Sequence, residues 1–234
     1  MLQAGVLACA VICGAALANE VVERTVDFRE QRVISSATFL NAHPDMSYRI
    51  KGRASYESGD YTSAIRYFTL AAKYADKPSQ AMLAEMSWQG RGVPVDRAVA
   101  YAWADLSAER GYRQFAELRE GYWRKLDARE RARAIQHGQG LLADYGDDVA
   151  LPRMTAFLLK AKRDTRTGVS VRPPRDVVVP GPNGQAKRIS GKQFFAAKFW
   201  EPVQYQAWQD ATWMDPPRGN VDVGDVEQVA PAGQ

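Results

Sequence analysis

"QGRGVPVDRAVAYAW", residues 89–103, decides how the rest of the chain is read. A Gly-x-Gly ahead of a helix invites comparison with a phosphate-binding loop. Such a loop normally joins a strand to a helix and carries a lysine or a third glycine in register. Here an apolar, helix-periodic segment precedes it, and "GRGVPVD" has neither residue. The stretch is therefore expected to be a turn between two helices. Gly90 and Gly92 supply backbone conformations that side chains resist. Val93 plugs the gap, Pro94 stiffens the exit and Asp96 caps the following helix.

Outward from this turn, short helices and stops alternate. Pro44-Asp45 opens a helix that Gly59 ends, and Asp60 caps "YTSAIRYFTLAAKYA". Pro78 opens "SQAMLAEMSWQG", Asp96 caps "RAVAYAWADLSAERG", and "YRQFAELREGYWRKL" follows. Asp127, with Glu130 three residues on, has the pattern of a capping box. A last helix is predicted from near Pro152. Thirty-six positions separate Asp60 from Asp96, Ala64 from Ala100, Tyr67 from Trp103, Leu70 from Leu106 and Ala72 from Ala108. Ala100, Ala104 and Ala108 allow helix backbones to approach, while Val99, Trp103 and Leu106 fill the space beside them. Short connections favour antiparallel neighbours, so a row of helical hairpins is expected, and a repeat of this length predicts a solenoid.

Ala71-Ala72, Gln80, Leu83, Met86, Gly90-Arg91-Gly92-Val93-Pro94, Asp96, Ala98, Ala100, Trp103, Ala108 and Gly111 make residues 71–111 similar to a Sel1-like repeat, a relative of the tetratricopeptide repeat. The similarity extends more weakly to about residues 45 and 145. Ala75 stands where the family prefers Gly. The third unit has Leu126-Asp127 in place of Gly-x-Gly-Val-Pro, and Gly138 and Gly140 interrupt its second helix at about 1 kcal/mol each. The resemblance implies a mainly α fold, a right-handed α-solenoid of stacked helical hairpins over residues 45–162. It also implies the family's role as adaptor or scaffold. Some members are immunity proteins.

Both termini have different compositions. "MLQAGVLACAVICGAALA" is uncharged and ends in an A-x-A site, the pattern of a signal peptide cleaved after Ala18. No Lys or Arg precedes its apolar run; a start codon upstream of the given one would account for that. A periplasmic or secreted protein is expected, the alternative being a membrane anchor left uncleaved. Cys9 and Cys13 lie in this segment, so the mature chain has no thiol chemistry and no disulfide. Residues 19–44 read as an N-terminal arm and 163–175 as a polar, basic linker. Residues 176–229 read as a small, aromatic-rich α+β module, and 230–234 as a tail. In the module "DVVVPGPNGQAKRIS" predicts a hairpin. Pro202 divides the following aromatic stretch into two helices, and "NVDVGDVEQV" predicts a last strand.

A net charge of +4 is far below the excess of a dedicated nucleic-acid binder. His43 and His137 are isolated, and Ser190-Gly191-Lys192 lacks acyl-transfer spacing. No catalytic residue, metal or cofactor is expected, and no nucleic-acid partner. The basic run Lys160, Lys162, Arg163, Arg166, Arg172 and Arg175 would allow a loose contact with anionic lipid or envelope polymer. The expected function is protein binding through the helical-repeat surface. Trp88 and Tyr101, large aromatics where the repeat tolerates polar ones, are the candidate contact residues, with Tyr122 and Trp123 near the same face. The alternative is an envelope enzyme or polysaccharide or anionic-polymer binder, its site between solenoid and C-terminal module. Trp200 or Trp208 would line that site, with carboxylates from Asp144, Asp147 and Asp148.

Overall fold

The computed structural model describes residues 28–166, 174–180 and 186–214. The expected signal peptide, the turn of the β-hairpin and the last strand lie outside them. The described residues form α1 (Phe28–Ile34), α2 (Ala37–Ala42), α3 (Pro44–Glu57), α4 (Tyr61–Ala72), α5 (Lys77–Gln89), α6 (Arg97–Ser107), α7 (Arg113–Trp123), α8 (Ala128–Tyr145) and α9 (Asp147–Arg166). Strands β1 (Asp176–Pro180) and β2 (Ala186–Ser190) follow, then α10 (Gly191–Phe194), α11 (Ala197–Trp200) and α12 (Pro202–Met214). The protein is mainly helical with one small antiparallel sheet, in which Val177 stands opposite Ile189.

Local chemistry sets the helix ends. Asp60 accepts from Ser63 N–H, and Asp96 accepts from the N–H groups of Ala98 and Val99, so the 36-residue shift relates two true caps. Asp127 and Glu130 make both bonds of the capping box. Gly90 and Gly92 have φ of 72° and 78°. Ala75, where glycine is the family's choice, holds φ 63°, and Gly111, its counterpart, holds 70°. The turn keeps its left-handed geometry even without the residue that suits it, at a cost of about 1 kcal/mol.

Packing follows the hairpin plan through α6. Helix α3 lies along α4, α4 meets α5, and α5 lies along α6. Their core includes Ala64, Phe68, Ala72, Leu83, Met86, Ala100, Trp103 and Leu106. Gly52 sits against Phe68 so closely that a Cβ would stand 2.6 Å from the ring. The third hairpin departs from the plan. Helices α7 and α8 both pack on α6 and make little contact with each other. Helix α6 permits this because Ala98, Ala100, Ala102, Ala104 and the following Ala108 are all buried, giving it close approaches on more than one side.

Two boundaries also move. Helix α9 begins at Asp147 instead of near Pro152, which lies inside it, and it runs on to Arg166, past the expected start of the linker. The residues expected as an N-terminal arm include α1 and α2. Val33, Phe39 and Ala42 share one core with Met154 and Leu158 of α9, Val179 and Ile189 of the hairpin, and Phe194, Phe199, Trp200 and Tyr205. His43 ties this core together. Its Nδ1 is 2.8 Å from Phe39 O and its Nε2 2.7 Å from Phe199 O, and its ring stacks on Phe39 at 3.7 Å. Burial lowers its pKa against the opposing charge of Asp45.

Helix α12 lies across the ends of the repeat helices. Tyr205 Oη donates to Asp45 Oδ2 at 2.5 Å, and Gln209 Nε2 reaches the same oxygen at 3.0 Å. Tyr112 bonds Asp210, and Gln114 Nε2 donates to Trp213 O at 3.0 Å. Beneath this helix runs a seam of charges. Arg49 pairs with Asp76. The fully buried Lys77 Nζ meets Glu109 at 2.6 Å, Asp147 at 3.1 Å and Leu106 O at 3.1 Å. Arg110 binds Asp147 through Nε at 2.7 Å and Nη2 at 2.9 Å, and donates to Ala75 O.

Candidate functional site

The opposite ends of α5–α8 are arranged differently. At the end of α5, Trp88 stacks face to face on Tyr122 of α7, with centroids 4.0 Å apart and planes within 10°. Tyr101 of α6 meets Trp123 of α7 at 4.8 Å. The four candidate aromatics therefore form two adjoining pairs, held by the packing of α7 on α6. Tyr122 is 8% exposed, which corrects its expected place on the contact surface: it is the platform under Trp88. Burial, with the nearby charge of Glu85, pushes its phenol up to about 12 and keeps it neutral. Trp88, Tyr101 and Trp123 are half-buried.

Because α7 and α8 stand apart, an open groove of about 440 Å³ runs between them over α6. Tyr101, Ala102 and Leu106 floor it, Trp123 forms one wall, and Ile135 and Leu142 form the other. Ile135 is 58% and Leu142 55% exposed, so the groove presents apolar side chains to solvent. Gly138 lies between them in the lining, and a Cβ there would meet nothing within 4 Å. The sequence did not single out Ile135 and Leu142. Their spacing of seven places them on one helix face, yet that face is ordinarily core. Gly138 was legible only as a cost to the helix. Its missing side chain widens the groove.

Charges border this apolar channel. On its floor Asp105 is raised above the usual carboxylate range by burial, against the opposing Arg119 at 3.8 Å. At the end near Trp123 the charges are cationic. Arg97 Cζ stands 5.3 Å and Lys125 Nζ 5.8 Å from the Trp88 ring, and Arg131 Cζ 4.9 Å from the Trp123 ring. Arg131 also donates to Trp123 O at 3.1 Å. Cations over rings supply roughly 0.5–1 kcal/mol each at exposed positions. They hold the aromatics in place without neutralising the rim.

Between the helical array and the C-terminal residues, the tryptophans and the carboxylate that the enzyme or polymer-binding alternative calls on are engaged in packing and pairing, and the cavity of about 270 Å³ between α9 and α12 is lined by neither. Trp200 is 1% exposed and donates to Phe194 O at 2.6 Å, and Trp208 donates to Glu30 at 2.8 Å. The cavity under α12 measures about 20 Å³, room for about one water and far too small for a sugar. Asp147 is committed to Arg110 and Lys77. Burial opposes its charge, but those hydrogen bonds and charges prevail and hold its carboxyl below the usual range, the reverse of what a general acid needs. Among the described residues no group of three or more His, Cys, Asp or Glu stands where it could hold a metal ion.

No family model matches the sequence, and no curated protein does. Among solved structures, the chain is similar to a crystal structure described as a protective antigen present in uropathogenic Escherichia coli strains and displaying an SLR fold. The identity is 19% and the TM-score 0.42, over 56% of this chain and 26% of that one.

Proposed function

We propose that this protein is an exported, non-enzymatic protein-interaction module, an adaptor or scaffold of the bacterial cell envelope that holds a segment of a partner protein in the α7–α8 groove. The observation that carries this is the groove itself: exposed Ile135 and Leu142 face half-buried Tyr101 and Trp123 across a channel opened by α7 and α8 standing apart. Aromatic residues and arginine are enriched at protein contact sites. No helix among the described residues is long and apolar enough to cross a membrane. Export rests on the uncharged first eighteen residues and their A-x-A site.

The test compares wild type with the double variant Ile135→Asp, Leu142→Asp in affinity capture from the native envelope, read by mass spectrometry. Both side chains are largely exposed, so the melt should hardly change while the specific partner disappears. Identical capture by both forms would remove the groove from the function. N-terminal sequencing tests export: a mature chain starting at Asn19 supports it, and a membrane-retained chain starting at Met1 points to the anchored alternative.

A further inference from the structure

We infer that the partner segment is acidic, and that it enters the groove over the cationic rim formed where α5 ends, α6 begins, α7 ends and α8 begins. This rests on the protein-binding role proposed above and names the chemistry of its partner. The rim carries Arg97, Arg124, Lys125, Arg129 and Arg131, and among the described residues none of the five pairs with a carboxylate. All but Arg131 are exposed. The acids in the same region are already engaged, Glu85 by the side-chain amide of Gln89 at 2.7 Å. Asp127 and Glu130 are bound to backbone N–H groups in the capping box, and Asp96 caps α6 and pairs with Arg133. The carboxylates of the groove floor are answered too, Asp105 by Arg119, and Glu109 by Lys77 and the Asp147 N–H.

The other ends of the same helices show what this chain does with cations at an edge. There Arg49, Lys77 and Arg110 each meet carboxylates, and helix α12 brings one of them, Asp210, within 3.8 Å of Arg110. That covering helix combines aromatic side chains with a carboxylate. At the rim Arg97, Lys125 and Arg131 stand over tryptophan rings, and among the described residues no such helix covers them. An amphipathic helix bearing Asp or Glu beside apolar residues matches both halves of the surface: apolar side chains in the groove, carboxylates on the rim. A bare anionic polymer matches only the rim and leaves Ile135 and Leu142 uncovered.

The experiment places a photo-reactive amino acid at exposed Gln89, beside Trp88, or at Ile135, in the full-length protein in its native envelope, and sequences the crosslinked segment. The expected product at position 89 is a protein segment with an excess of Asp and Glu. Its yield should fall roughly tenfold in Arg124→Glu, Arg129→Glu, two exposed and unpaired positions, and should fall with added salt. A neutral or basic segment at position 89, or a yield indifferent to charge reversal and salt, overturns the acidic partner while capture at position 135 still supports the groove. A polysaccharide or nucleic-acid adduct at position 89 overturns it in favour of an anionic polymer. Capture at neither position removes both conclusions.

Discussion

The two ends of helices α5–α8 are built from similar residue types and treated in opposite ways. At one end Lys77 and Arg110 line the small cavity under α12 and satisfy the carboxylates of Glu109 and Asp147. At the other, Arg97, Lys125 and Arg131 rest on tryptophan faces with no carboxylate partner among the described residues. A desolvated charge must be paired or it destabilises the fold, whereas an exposed one costs little and stays available. The covered end is therefore structural, and the uncovered end is where the proposed interface lies.

Substitutions should separate the two ends by size of effect. Lys77→Met should cost the most, about 3–5 kcal/mol in a denaturant melt, because it removes the fully buried cation that Glu109, Asp147 and Leu106 O share. A loss below 1 kcal/mol would show that the seam is hydrated. Gly92→Val should follow at about 3 kcal/mol, from left-handed strain and overpacking. A Cβ at Gly92 would stand 2.8 Å from that of Tyr61. A wild-type melting temperature would mean that the turn can relax. Tyr205→Phe should cost about 1–3 kcal/mol by removing a donor from buried Asp45. It should also speed proteolysis within α12 more than within α5, and equal rates would show that α12 is not held by this bond.

Acid should act on the covered end as well. Asp147 has a depressed pKa, so its contribution is present above the ordinary aspartate value and is lost as pH falls through the lowered one. Asp147→Asn should therefore destabilise the protein at neutral pH and flatten the decline in melting temperature below about pH 4. An unchanged acid profile would assign that decline to other carboxylates. The smallest effect belongs to the rim: Arg129→Ala should change stability by less than about 0.5 kcal/mol. A larger loss would mean that the rim is structural after all.

Much of the helical array was legible. Asp60, Asp96 and Asp127 act on N–H groups two or three residues away, and the left-handed turns at Gly90, Gly92 and Gly111 need nothing beyond their neighbours. Trp88 and Tyr101 stood out as large residues breaking a pattern, with Tyr122 and Trp123 near the same face, and the four form two ring pairs. Which of them is exposed was not legible, since Tyr122 is buried under the ring of Trp88 from α5, a contact that depends on where α7 packs. Ile135 and Leu142 look like core residues in any helix reading.

By itself, the sequence determined the turns, the caps, the repeat from Asp60 to Asp96 and the break at Pro202, all set by forces acting within a few residues. Only the tertiary structure decided that α7 and α8 part to open a groove, and that α12 covers one end of the array. Those outcomes depend on contacts such as Tyr205 with Asp45, 160 positions apart. Whether such distant groups meet depends on how all the intervening helices pack, which no local pattern encodes.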